Sequence, residues 1–296
     1  MKEKQTLTAL LMVWTVYIAL SLSGIALADD IADIKARGVL RHLGVPYANF
    51  ITGASDGFSV EIMQLFAAHL GVQYQYVGTS WNDVIPDLVG REVHPEGDVA
   101  SLGKERPIRG DVIANGLTIL PWRKKVVAFS KPTFPTQVWL ISSTDGGLKP
   151  INPSGDTDKD IVSTKSLIDQ KKLLGKVGTC LDPSLYNLEE AGAKTSYYPG
   201  NLNELAPAVI KGLSETAILD VPDTLVALEK WPGQILVIGP VSPQQEMAVA
   251  FRPDDTSLLR EFNAFLDQIR QDGRYRKLVE KYYPAVFDYY PDFFTQ

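Results

Sequence analysis

The sequence predicts an α/β protein made of two similar halves, each built on a parallel sheet. Three observations predict it. Strand-like and helix-like periods alternate as β-α-β-α-β from Val39 to Val112, an order that needs crossover connections and therefore parallel strands. A breaker at Pro132-Thr133-Phe134-Pro135 and a Gly/Pro-rich stretch beyond Ile141 precede a second run of β/α units. Length agrees: once an expected leader is removed, about 268 of the 296 residues remain, room for two units of roughly 100 to 200 residues.

Val39 to Val45 reads as the first strand. Ser59 to Leu70 sets Ile62, Phe66 and Leu70 on one helical stripe, with Gly71 as the stop. Val72, Tyr74 and Tyr76 alternate as a second strand. Asn82-Asp83 starts a helix that buries Val84, Ile85, Leu88 and Val89 before Gly90. Glu92 to Arg109, rich in charge, Gly and Pro, reads as a surface insertion ahead of the strand at Val112. Gln137 to Ile141 is a strand, and the next twenty or so residues, with Gly146-Gly147, Pro150, Pro153 and Gly155, form a loop. Lys176 to Cys180 is then a strand, Pro183 to Ala191 a helix, Thr195 to Tyr198 a strand, Glu204 to Lys211 a helix and Thr216 to Leu219 a strand. After a strand at Met247 to Phe251, Leu258, Phe262, Phe265, Leu266 and Ile269 recur at helical spacing and stop at Gly273. A last helix runs from Tyr275 to Tyr283.

At the N-terminus, Lys2-Glu3-Lys4 precedes an uncharged apolar run from Leu7 to Ile25 that ends in Ala26-Leu27-Ala28. This is the pattern of a secretory signal peptide over residues 1–28. A membrane anchor is the alternative, since the run approaches the roughly 20 residues that span a bilayer. The small-residue site followed by Asp29-Asp30 favours cleavage, and no cysteine follows to carry lipid. Cleavage removes two Lys and one Glu, so the formal charge moves from −6 to −7. So acidic a chain is a poor nucleic-acid binder. One cysteine, Cys180, allows no internal disulfide and reads as a small buried hydrophobe. His42, His69 and His94 are far apart, and no metal or cofactor site is expected.

From Gly110 to Ser130 several donors converge. Gly116 allows close backbone approach, Thr118 offers a hydroxyl and an N–H, and Arg123 carries a planar fork that matches a carboxylate. The same residues also suit a capped turn beside a solvated basic face formed with Lys124 and Lys125.

The chain resembles the bacterial extracellular solute-binding proteins of family 3, the periplasmic receptors of polar amino-acid ABC importers. The resemblance rests on motifs in order: Gly38-Val39-Leu40-Arg41; Asp56-Gly57-Phe58-Ser59-Val60-Glu61-Ile62; Thr79-Ser80-Trp81-Asn82 with Ile85-Pro86-Asp87-Leu88; Gly116-Leu117-Thr118-Ile119 with Arg123-Lys124-Lys125 and Phe129-Ser130; Gly212 with Leu219-Asp220; and Asp272-Gly273-Arg274-Tyr275 through Lys281-Tyr282-Tyr283. It implies a two-lobed periplasmic binding protein fold of type II, with two parallel-sheet lobes joined by crossover strands near Phe134 to Val138 and Gln245 to Val249. One lobe would be residues 29–137 plus 247–296 and the other 138–246, closing over ligand as a hinge.

By the same resemblance, Thr118 and Arg123 would hold an α-carboxylate, Gly116 would offer its carbonyl to an α-ammonium and Asp220 would pair with that ammonium. Tyr47 or Phe50, and with them Trp81, match the region where the ligand side chain is stacked; core packing is the favoured role for Trp81, while the loop position of Tyr47 and Phe50 favours them as cleft walls. Where amino-acid binders often carry Gly-Thr-Thr, this chain is read as having Asp182-Pro183-Ser184. Asp182 would cap a helix, leaving Ser184 as a candidate donor. The implied function is capture of a small polar, amino-acid-like molecule by a periplasmic monomer that serves an ABC permease in the inner membrane, without catalysis. The alternatives are a periplasmic sensor or accessory binding protein, or a dehydratase-like enzyme using Glu189, Glu190 or Glu246 as general acid.

Overall fold

The computed structural model describes residues 30–53 and 55–295, so the leader expected at residues 1–28 lies outside the described residues. Among them no helix is long and apolar enough to cross a membrane. Two sheets organise the chain. The first is six-stranded, in the order β2 (Gln73–Gly78), β1 (Val39–Gly44), β5 (Val112–Thr118), β13 (Gln245–Phe251), β6 (Ala128–Phe129), with β7 (Phe134–Thr136) also on β13. The second is five-stranded, in the order β10 (Lys194–Tyr197), β9 (Lys172–Gly175), β11 (Thr216–Asp220), β8 (Val138–Ser143), β12 (Ile235–Pro240). Strands β1, β2 and β5 are mutually parallel, as are β9, β10 and β11. Each sheet also holds a long antiparallel strand from a passage between sheets, β13 in the first and β8 in the second.

The chain leaves the first sheet after Thr136 and returns at Gln245. These passages are bonded to each other: Gln137 Nε2 donates to the Ser242 carbonyl (2.8 Å) and Ser242 Oγ accepts from the Val138 N–H (2.9 Å). Beside them lies an aromatic core. Phe50, Phe58, Phe134 and Tyr283 pack with ring centroids as close as 4.8 Å, bringing α2 (Phe58–Leu70), β7 and the end of α8 (Arg274–Tyr282) onto one point.

The structure corrects the sequence reading in several segments. The segment 92–109, read as a surface insertion, is exposed but has regular structure that the sequence reading did not include. It contains an antiparallel hairpin of β3 (Arg91–Glu96) and β4 (Val99–Glu105), turning at Gly97 with φ 58°. No side of this hairpin is fully buried, so its sequence carries no apolar alternation to betray it. Helix α4 (Thr157–Lys165) stands where a loop was expected. Its N-cap Asp156 accepts from the Asp158 and Lys159 N–H groups, and only Thr164 is buried, which leaves no apolar stripe to read. Helix α6 (Val221–Lys230) and strand β12 are likewise additional. The strand expected at Lys176 to Cys180 lies four residues earlier, at β9, and Pro183–Tyr186 is one 3₁₀ turn rather than a helix to Ala191.

Candidate functional site

Strand β5 ends in an irregular stretch. Opposite β13, Met247 pairs with Thr118 and Ala248 with Leu117, but Ala250 pairs with Ile113, so β5 fits extra residues into the interval. Such a bulge re-aims side chains, and here it requires Gly116 at φ 71°. A Cβ there would lie 2.5 Å from Phe50 Cδ2. Gly116→Ala is therefore expected to cost roughly 1–3 kcal/mol through left-handed strain and overlap with the ring, and to weaken any ligand held by this turn. Urea unfolding checks it, and a loss under 0.5 kcal/mol would mean that the bulge tolerates a side chain. The bulge also buries Asn115, whose carboxamide oxygen and nitrogen have no hydrogen-bond partner among the described residues.

Beyond β5, a 3₁₀ turn at Arg123–Lys125 sends Arg123 inward. Its side chain is 2 % exposed, donates from Nη1 to the Thr118 carbonyl (2.9 Å) and lies over the Trp122 ring. Among the described residues its Nε has no partner, and no carboxylate is among the groups that act on its charge. Burial pulls the guanidinium below its usual value, because a charge taken from water without a counter-ion is disfavoured. Among the described residues Thr118 Oγ1, beside the Cys180 thiol, and Gln245 Oε1, beside Tyr186 at the start of β13, are buried without a well-formed hydrogen bond.

Across the cleft, β11 delivers Asp220, which caps α6 by accepting from the Asp223 N–H (3.2 Å). It is fully buried, accepts from Tyr47 OH and lies 3.6 Å from Cys180 Sγ. Burial raises its carboxyl to about 6, against the opposing pull of Tyr47, the Asp223 N–H and Cys180. Asp223, also buried, is raised well above the carboxylate range by burial and by Asp220, and its Oδ2 is unpartnered among the described residues. Burial pushes the Cys180 thiol up to about 12, so it is a neutral neighbour and not a nucleophile. Tyr186 OH donates to the Cys180 carbonyl (2.6 Å) and fixes that loop.

The structure brings Tyr47, Gly116, Thr118, Arg123 and Asp220 together. Tyr47 is buried between Phe50 (6.2 Å, stacked) and Trp81 (5.5 Å, edge-on) and spans the two sheets through Asp220. Phe50 and Trp81 exchange expected roles: Phe50 sits in the aromatic core behind Gly116, whereas Trp81 is half-buried and lines a cavity of about 490 Å³ at the cleft mouth. Ser184 is not brought in. It is exposed, and its hydroxyl donates to Asp182 Oδ1 (2.7 Å), as does its N–H (3.0 Å). Because β9 ends at Gly175, the stretch that meets the cleft is Gly178-Thr179-Cys180, with Gly178 at φ 74°. Cys180, Tyr186, Asn115 and Gln245 are the site residues that the sequence reading missed. Glu189, Glu190 and Glu246 are all exposed. Among the described residues no group of three or more His, Cys, Asp or Glu side chains is placed to hold a metal.

What such a cleft can do is bind a small molecule with a negative end at Arg123 and a positive end at Asp220. Residues 107–285 match the family described as bacterial extracellular solute-binding proteins, family 3. The chain is 27% identical to the L-cystine-binding protein TcyJ of Escherichia coli K12 over 285 residues, covering 94% of this chain and 95% of that one. It is 25% identical to the membrane-bound lytic murein transglycosylase F of Desulfosudis oleivorans over 236 residues, 79% of this chain, and spans only 46% of that protein's length. Among solved structures, a mutant of ArgBP from T. maritima superposes with TM-score 0.67 at 24% identity, over 86% of this chain and 100% of that one. The ancestral amino-acid-binding protein AncCDT-1, described as a precursor of cyclohexadienyl dehydratase, gives the same TM-score, identity and coverage. These likenesses fix the two-lobed type II architecture.

Proposed function

The chain belongs to the bacterial extracellular solute-binding proteins, family 3, and from that premise we propose that it captures a free amino acid or a close analogue in the periplasm for ABC-type import. One observation carries this reading. A buried guanidinium, Arg123 in the turn after β5, and a buried carboxyl, Asp220 at the end of β11, have no counter-ion among the described residues and flank the same thiol. Leaving both unpaired costs free energy in the empty protein, and a zwitterion satisfies both at once. Residues 30–137 with 247–295, and 138–246, act as the two lobes. They hinge at the passages around Gln137 and Ser242, and the ligand bridges them when closed. Binding involves no covalent chemistry, the protein works as a monomer, and a permease reads the closed form.

A thermal-shift screen of the exported, processed protein against amino acids, polyamines and small organic acids tests this. A ligand at about 100 times its Kd adds about 2.7 kcal/mol of stability, or roughly 5–10 °C for a chain of this size. The expected hit is an amino acid. Stabilisation by organic acids or polyamines alone overturns the zwitterion assignment.

A further inference from the structure

The β3–β4 hairpin has no task in that reading. A two-stranded hairpin is marginal by itself, and this one has no fully buried face, so its direction is set at its root. There the Arg106 N–H donates to the Gly90 carbonyl (2.8 Å). Asp87, fully buried on α3 (Val84–Val89), pairs with Arg106 (3.2 Å) and Arg109 (2.7 Å), and Arg106 also pairs with Asp83 (3.0 Å). Above the root, the Arg91 side chain donates to the Gly103 carbonyl (2.9 Å from Nη2), and β4 packs on the Arg123–Lys125 turn. At about 3.3 Å per residue, the strand Arg91–Glu96 carries its tip roughly 20 Å from that root.

The tip meets the cleft. Pro95, Gly97 and Asp98 share a cavity of about 570 Å³ with Trp122, whose ring lies on Arg123, and with Gly178 and Asp182 from the other lobe. The lobes already touch nearby, where Tyr47 OH donates to Asp220 and the Ala48 N–H donates to Asn203 Oδ1 (2.9 Å). The facing banks of the cavity carry one acid each, Asp98 and Asp182, and among the described residues no Lys, Arg or His lines it. Like charges on the two banks oppose their approach, and solvent screens them.

We propose that the β3–β4 hairpin is an arm that latches the closed cleft: rooted on the first lobe, it reaches past Trp122 to the Gly178–Asp182 loop of the other lobe and lowers the population of the open form. This rests on the hinge closure proposed above and not on the identity of the ligand.

Cys180 reports opening without any ligand. Its side chain is 6% exposed, lies 3.6 Å from Asp220 and sits beside Thr118 of the first lobe, so a maleimide reaches it when the lobes part. Labelling by N-ethylmaleimide is followed in the unliganded exported protein, in a chain with Gly-Ser-Gly in place of residues 91–105, and in Asp98→Lys, which sets an ammonium opposite Asp182. Urea unfolding of each separates opening from unfolding. Wild type is expected to react far more slowly than its urea-unfolded chain. The excised chain should react about tenfold faster than wild type or more, at similar unfolding free energy, and Asp98→Lys about two- to fivefold more slowly. A wild-type rate near that of the unfolded chain overturns the inference, as does an excised chain that reacts no faster than wild type. If the excised chain does not fold, an unchanged rate in Asp98→Lys overturns it. If every chain reacts only as fast as global unfolding allows, the cleft does not open and the hinge reading fails with the latch.

Discussion

Arg123→Met is expected to weaken amino-acid binding by roughly 30- to 3,000-fold while leaving the unliganded fold intact. The estimate follows from truncating one member of a desolvated charge pair, which typically removes 2–5 kcal/mol because the other charge is stranded. In the empty protein the balance is reversed. Among the described residues the buried charge of Arg123 is met by the Thr118 carbonyl and the Trp122 ring, with no carboxylate acting on it. Methionine fills similar volume and needs no solvation, so the melting temperature of the unliganded variant should stay within a few degrees of wild type or rise. Calorimetric unfolding with and without ligand reads both effects. Retained affinity would falsify the carboxylate clamp, and collapse of the empty variant would show that the guanidinium is structural.

Asp220→Asn should raise the stability of the unliganded protein at pH 7 by up to about 3 kcal/mol and abolish tight binding. The Asp220 carboxyl is raised from 3.8 to about 6, chiefly by burial. A carboxyl that holds its proton more strongly when folded makes no difference below pH 3.8, where it is protonated in both states. As pH rises from 3.8 towards 6 the unfolded chain gives up the proton first, and folding becomes progressively less favourable. Above that window the penalty is constant, about 1.36 kcal/mol for each unit of displacement. Asparagine removes it and can still accept from Tyr47 OH and the Asp223 N–H. Asp255 is raised too and titrates alike in both proteins, so it cancels in the difference between the two stability-against-pH curves, which reads Asp220 together with the part of the Asp223 shift that Asp220 causes. Wild-type affinity should fall as pH drops below about 6, approaching tenfold per unit, because the proton must leave before an ammonium can pair. Parallel stability curves for the two proteins, or an affinity flat from pH 7 to 4.5, would show that Asp220 is compensated in some other way.

Much of this site was legible because its parts are local. Gly116, Thr118 and Arg123 lie within eight residues, and their chemistry is visible without knowing what they face. Asp220 was readable as an acid at the end of a strand within a family motif, and the structure makes it the cap of a helix that the sequence reading did not include. The N-cap role read for Asp182 is equally local, and its carboxylate does accept the Ser184 N–H. What that reading could not see is that capping consumes the Ser184 hydroxyl while Cys180 occupies the cleft.

Sequence alone was enough for the β-α-β-α-β order from Val39 to Val112, the donor-rich turn after β5 and the family, since each depends on residues close together in the chain or on motifs in order. Tertiary structure alone decided which side chains share the cleft. Leu173-Leu174 and Val177 are comparably apolar, and only pairing of β9 with β11, from Leu173 with Thr216 to Leu174 with Ala217, sets the strand early and carries Cys180 to Asp220. Phe50 lost its place as a cleft wall to the core because Gly116 leaves room for its ring. Burial and the electrostatics that follow from it are properties of contacts distant in sequence, and no local period encodes them.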